Sequence, residues 1–121
     1  MPRYVDGFVI PVAKKNLPAY RRLARQASKI WKEYGAMEYY ECAGDDLVGP
    51  GISVPFPKLA KTKSGETVVF SWVVYKSRAA RDRANAQIMK DPRIAKMMTS
   101  KKPPFDPKRM SYGGFKVMVN L

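Results

Sequence analysis

The sequence contains no histidine, so proton transfer near neutral pH would fall to carboxylates, tyrosines, lysines or the single thiol. Asp6 and Glu41 are the acids to weigh first, because each stands inside a β-prone run rather than in a loop. A carboxylate held in apolar surroundings has a raised pKa and accepts a proton more readily. Tyr40, next to Glu41, is the third catalytic candidate. Arg81, Asp82 and Arg109 are the candidates for gripping a charged ligand, with Trp72 as an aromatic wall. Asp6 also reads as the partner of an arginine near a sheet end. Arg109 also reads as a structural partner of Asp6 or Glu41.

Other residues point away from chemistry. Cys42 is the only cysteine, so no internal disulfide can form, and it reads as a small buried hydrophobe. As a nucleophile it would need a lysine or arginine to depress its pKa. Asp45-Asp46 are adjacent carboxylates that point apart on most backbones and lack the spaced oxygen ligands of a calcium loop. Without histidine the usual zinc and haem sites are excluded as well, so no metal and no cofactor is expected.

The elements that must carry these residues follow from periodicity. Glu66 to Tyr75 is the longest β-prone apolar run and lacks Gly and Pro, which predicts a central strand. Alternation puts Val68, Phe70, Trp72 and Val74 on one face and Val69, Ser71, Val73 and Tyr75 on the other. Tyr4 to Ile10 reads as a first strand, stopped by Pro11. Asn16 is a helix cap with Pro18 in the first turn. Tyr20, Leu23, Ala24, Ala27, Ile30, Trp31 and Tyr34 then trace one helix face up to Gly35. Met37 to Ala43 is a second strand, with Tyr39, Glu41 and Ala43 on one face and Glu38, Tyr40 and Cys42 on the other.

The stretch from Gly44 to Gly65 is irregular, and Phe56 to Ala60 fits a short edge strand or a turn of helix. Ser77 caps a helix through Ile88, and Asp91-Pro92 starts another that ends by Pro103-Pro104. Ser111 to Val119 is a last strand whose Gly113-Gly114 permits a bulge or a close backbone approach.

The resulting order is that of an α+β, ferredoxin-like βαββαβ domain spanning residues 1–121, with an antiparallel sheet and helices on one face. Both sheet faces are apolar, so the second face calls for a second copy of the chain. RNA-recognition domains share this order and stack bases on the open face. Here the Tyr112-Gly113-Gly114-Phe115 motif lies on the fourth strand rather than the third, which argues against specific nucleic-acid binding. The net charge of +13 predicts attraction to polyanions, but Lys and Arg are scattered along the chain. No apolar run approaches the ~20 residues of a membrane span and no signal-peptide layout opens the chain, so a cytoplasmic location is expected.

Many short blocks also carry a family likeness. They are Tyr4-Val5-Asp6-Gly7-Phe8-Val9, Gly35-Ala36, Glu41-Cys42, Asp45-Asp46, Val69-Phe70-Ser71-Trp72, Arg81-Asp82, Asn85, Asp91-Pro92-Arg93, Pro104-Phe105-Asp106, Arg109-Met110 and Tyr112-Gly113-Gly114-Phe115. In this order they resemble the YbaA-like family of uncharacterised bacterial proteins, a domain of unknown function. The resemblance implies a dimeric α/β barrel, in which two ferredoxin-like sheets pack face to face, and it implies no reaction. The expected function is a homodimer that binds a small organic, anionic ligand, with or without weak enzymatic chemistry. The alternatives are a purely structural or protein-interaction dimer and RNA binding through the basic surface.

Overall fold

The computed structural model describes residues 2–121. Four strands form one antiparallel sheet: β1 (Tyr4–Ala13), β2 (Glu38–Ala43), β3 (Glu66–Tyr75) and β4 (Ser111–Lys116), in the order β2-β3-β1-β4. Helix α1 (Leu17–Glu33) joins β1 to β2, and α2 (Phe56–Ala60) lies between β2 and β3. Helices α3 (Arg78–Lys90) and α4 (Pro92–Met98) join β3 to β4. Strand β3 occupies the span its composition predicts, residue for residue, and pairs with both β1 and β2.

Strand β1 runs past Pro11 to Ala13, longer than the proline suggested. Lys14 N–H donates to the Gly65 carbonyl at 2.9 Å, in register with the β1–β3 ladder. The even-numbered β1 residues therefore bond to β3, and the nitrogen of Pro11 turns toward the flank of β4. Strand β4 pairs only as far as Val9↔Ser111, so no ladder bond is lost there. Asn16 also departs from expectation: it makes no capping bond, and a 3-10 turn, Lys14–Asn16, leads into α1 instead. The other caps form. Ser77 Oγ accepts from Ala80 N–H at 3.2 Å and Asp91 Oδ1 accepts from Arg93 N–H at 2.8 Å.

The core lies between the sheet and α1, α3 and α4. One cluster gathers Ile30, Val73, Tyr75, Ala84, Ile88 and Ile94; the other gathers Ile10, Val12, Tyr20, Ala24 and Val69. Phe8 packs against both, and Phe105 closes the second with its ring edge-on to Tyr20 at 5.5 Å.

The opposite face differs from the expectation in one respect. Helix α2 packs on that side, setting Phe56 against Phe70 at 6.0 Å and burying Val68, so the helices are not all on one face. Beyond α2 the face is bare. Tyr40 stacks on Trp72 at 4.8 Å, Trp72 meets Phe70 at 5.5 Å, and Phe115 is 60% exposed. Cys42, expected to be buried, is exposed here, because β2 is an edge strand and Cys42 sits on its uncovered side.

Candidate functional site

The candidate residues divide among separate places. Asp6, Arg81 and Asp82 converge. Asp6 is 1% exposed, on the helix-facing side of β1, and its Oδ1 accepts from Arg81 Nη1 at 2.7 Å. The same nitrogen donates to the Tyr112 hydroxyl oxygen at 2.9 Å, while Arg81 Nε donates to Asp82 Oδ1 at 2.8 Å. The guanidinium lies over the Tyr4 ring, 4.7 Å from its centroid. Burial pushes the Asp6 carboxyl above its ordinary range, opposed by the Arg81 charge and by hydrogen bonds from Tyr112, Arg81 and Asn85.

Gly114 makes this convergence possible. A Cβ there would lie 2.6 Å from the Tyr4 hydroxyl and 2.9 Å from Arg81 Nη1. Strand β4 keeps regular register through the two glycines, so no bulge forms, and it is Gly114 that serves close approach.

Arg109 pairs with neither Asp6 nor Glu41. It forms a two-pronged contact with Glu66, at 2.7 and 2.8 Å, and donates to the Lys61 carbonyl at 3.0 Å. Tyr40 and Trp72 lie on the bare face, on the far side of the sheet from Asp6, Glu41 and Arg81. Asp45 and Asp46 are exposed, and no group of three metal-ligating side chains occurs among the described residues.

Glu41 is the candidate that faces open space. A cleft of about 980 Å³ runs between α1 and β2, lined by Leu17, Tyr20, Ala24, Tyr39, Glu41 and Val69 among others. Within it, the Tyr20 hydroxyl donates to Glu41 Oε1 and the Tyr39 hydroxyl to Glu41 Oε2, each at 2.7 Å. Burial and then the adjacent Glu41 charge push both phenols well above the usual tyrosine range, so both stay protonated. Arg21, Arg22 and Arg25 of α1 line the same cleft and are exposed, and no ion pair engages them among the described residues.

The sequence placed Tyr39 on the same strand face as Glu41, but Tyr20, 21 residues earlier, was legible only as core. The signal was the pairing of Tyr39-x-Glu41 with a helix that carries its own tyrosine on its inward face.

Solved structures support the fold. A dimeric ferredoxin-like protein from an uncultured marine organism superposes with a TM-score of 0.59 at 13% identity, covering 100% of both chains. A NIPSNAP family protein of unknown function from Agrobacterium tumefaciens gives 0.61 at 14% identity, covering 96% of this chain and 88% of that one. At such identities the likeness establishes the α+β, ferredoxin-like fold alone.

Sequence relatives are nearer. The uncharacterised protein YbaA of Escherichia coli K12 is 42% identical over 118 residues, 98% of each chain, and the Shigella flexneri protein matches equally. Residues 3–107 match the protein family of unknown function DUF1428. The chain therefore belongs to the YbaA-like DUF1428 family.

Proposed function

We propose that the protein works as a homodimer joined through the bare sheet face, and that each subunit binds a small organic acid in the cleft between α1 and β2. The observation that carries this reading is the cleft itself: an apolar strip of Leu17, Ala24 and Val69, with three arginines along its helix wall that make no ion pair among the described residues. Guanidinium groups grip carboxylates by paired hydrogen bonds, and the strip takes an apolar body. Glu41 is the acid–base group such a ligand would meet.

The dimer rests on the composition of the bare face. Tyr40, Phe70, Trp72 and Phe115 gather there with Val5 and Val9, whereas the charges Arg3–Glu38 and Arg109–Glu66 pair off where the strands end. A chain carrying 23 Lys and Arg keeps them off this patch, as suits an interface core rather than a platform for nucleic acid. The solved neighbour from the marine organism is itself dimeric. A single ferredoxin-like domain of 121 residues is then the repeating unit.

Light scattering in dilute, near-physiological buffer tests the dimer, with twice 13.7 kDa expected. Trp72→Glu should yield a folded monomer; a wild-type monomer would sink this part of the proposal. A thermal-shift screen of small aliphatic and aromatic acids tests the cleft, and a flat response across the screen would remove it. RNA binding that disappears at physiological salt would identify the charge as general electrostatics.

A further inference from the structure

The hydrogen-bond directions inside the cleft specify more than an organic acid. Three side-chain hydroxyls line it, and each has already spent its proton: Tyr20 and Tyr39 donate to Glu41 at 2.7 Å, and Ser28 donates to the Arg25 backbone carbonyl at 2.8 Å. A phenol that donates still has lone pairs to offer, and a carboxylate has about four acceptor sites, of which two are taken. The Tyr20–Glu41–Tyr39 cluster is therefore an acceptor-only surface carrying one negative charge. Glu41 makes no ion pair among the described residues. The remaining side-chain donors in the lining are the guanidiniums of Arg21, Arg22 and Arg25, which are donors only.

We infer that the ligand is a small zwitterion, an amino acid or a very short peptide, whose ammonium group sits on the Tyr20–Glu41–Tyr39 cluster and whose carboxylate sits on the α1 arginines. This rests on the cleft reading above and adds the ammonium end to it. An ammonium presents three donors and no acceptor, the complement of the cluster. A neutral hydroxyl or a second carboxylate would place an acceptor or a negative charge against acceptors. The apolar residues Leu17, Ala24 and Val69 in the same lining take an aliphatic body. Because both phenols stay protonated, the cluster keeps this polarity through the neutral range.

Matched probes separate the two ends of the assignment. L-leucine is compared with 4-methylpentanoate and 3-methylbutylamine, and 6-aminohexanoate with hexanoate and hexylamine, by amide chemical-shift titration of the full chain. In at least one set the zwitterion should bind about tenfold or more tightly than either singly charged analogue, the range expected for a charge-assisted hydrogen bond. Glu41→Gln should erase that advantage, so that the zwitterion binds no more tightly than its carboxylate analogue. Tyr39→Phe, which removes one acceptor and keeps the ring, should reduce it in part. Carboxylates binding as tightly as zwitterions to the wild type would overturn the ammonium assignment and leave organic-acid binding standing. Amines binding as tightly as zwitterions would overturn the role of the arginines. Failure of every probe to perturb cleft residues would take down both readings.

Discussion

Asp6 and Glu41 are both strand carboxylates turned toward helices, and the protein treats them in opposite ways. Asp6, on a central strand, is sealed: 1% exposed, bonded to Arg81 and closed over by Tyr4 and Tyr112. Glu41, on an edge strand, makes no ion pair among the described residues; two phenols hold it at the side of an open cleft. A buried carboxylate must have its charge answered on the spot, and α3 supplies the answer to Asp6. A carboxylate with only neutral donors keeps a net charge to offer a visitor. The sequence gives both acids equal standing as catalytic candidates; their surroundings separate a clamp from a site.

The sharpest way to break the comparison is to take the cation from Asp6. Arg81→Met keeps the stem and should destabilise the fold by about 3–5 kcal/mol, because it strands a buried charge. Denaturant unfolding would show a lower midpoint with an unchanged slope. Adding Asp6→Asn should return much of the loss. The deficit should also depend on pH. Burial raises the native pKa of Asp6 above its ordinary 3.8, so its contribution to stability is fully present below 3.8 and is lost as pH rises through the native value. Without Arg81 the native pKa rises further, so the Arg81→Met deficit should be small in acid and grow as pH climbs. A deficit independent of pH would mean that Asp6 is not the group left stranded.

A smaller effect is expected from the backbone that lets Arg81 in. Gly114→Ala should cost about 1–3 kcal/mol by overpacking, since its Cβ would fall 2.6 Å from the Tyr4 hydroxyl. Gly113→Ala is the control. Its Cβ would meet the Phe115 ring at 3.5 Å, an ordinary contact, and thermal unfolding should barely move. Equal losses at the two positions would point to strand propensity rather than to the clamp.

The other side of the comparison is softer. Tyr20→Phe and Tyr39→Phe each remove one hydroxyl from Glu41 and should each cost about 0.5–1.5 kcal/mol, the usual net worth of a hydrogen bond. Because cleft water can reach Glu41, neither loss should approach that of Arg81→Met. Tyr20 is the more buried of the two, at 6% exposure, so its variant should be the worse.

What the sequence made legible was set by local physics. β3 has two apolar faces and no breaker, and α1 has an unbroken apolar stripe, so both could be placed from residue types alone. Ser77 and Asp91 announced the starts of α3 and α4. Long-range pairing was a different matter. That Asp6 wanted an arginine could be read; that the arginine was Arg81, 75 residues on, depended on Gly114 leaving room. Cys42 reads as buried yet is exposed, because composition does not say which strand will be an edge. The Tyr20–Glu41–Tyr39 cluster was hidden for the same reason, since it exists only where α1 crosses β2.

A third acid tests whether burial, rather than pairing alone, makes the Asp6 clamp unusual. Glu66 meets Arg109 in a two-pronged contact at the start of β3 and also accepts from the Lys63 backbone N–H at 2.7 Å. Here pairing wins over burial: the Arg109 hydrogen bonds, then the Lys63 bond, pull the Glu66 carboxyl down to about 2. A depressed native pKa stabilises the fold above the ordinary 4.5, and that stabilisation is lost as pH falls toward 2. Side-chain carboxyl NMR should find Glu66 titrating near 2, and Arg109→Gln should move it toward 4.5 and make the acid loss of stability shallower. Asp6, with the same kind of partner, should titrate above its ordinary 3.8 in the same experiment. If both acids titrated low, desolvation would not be what distinguishes them, and the contrast between sealed and open carboxylates would have to be redrawn on pairing alone.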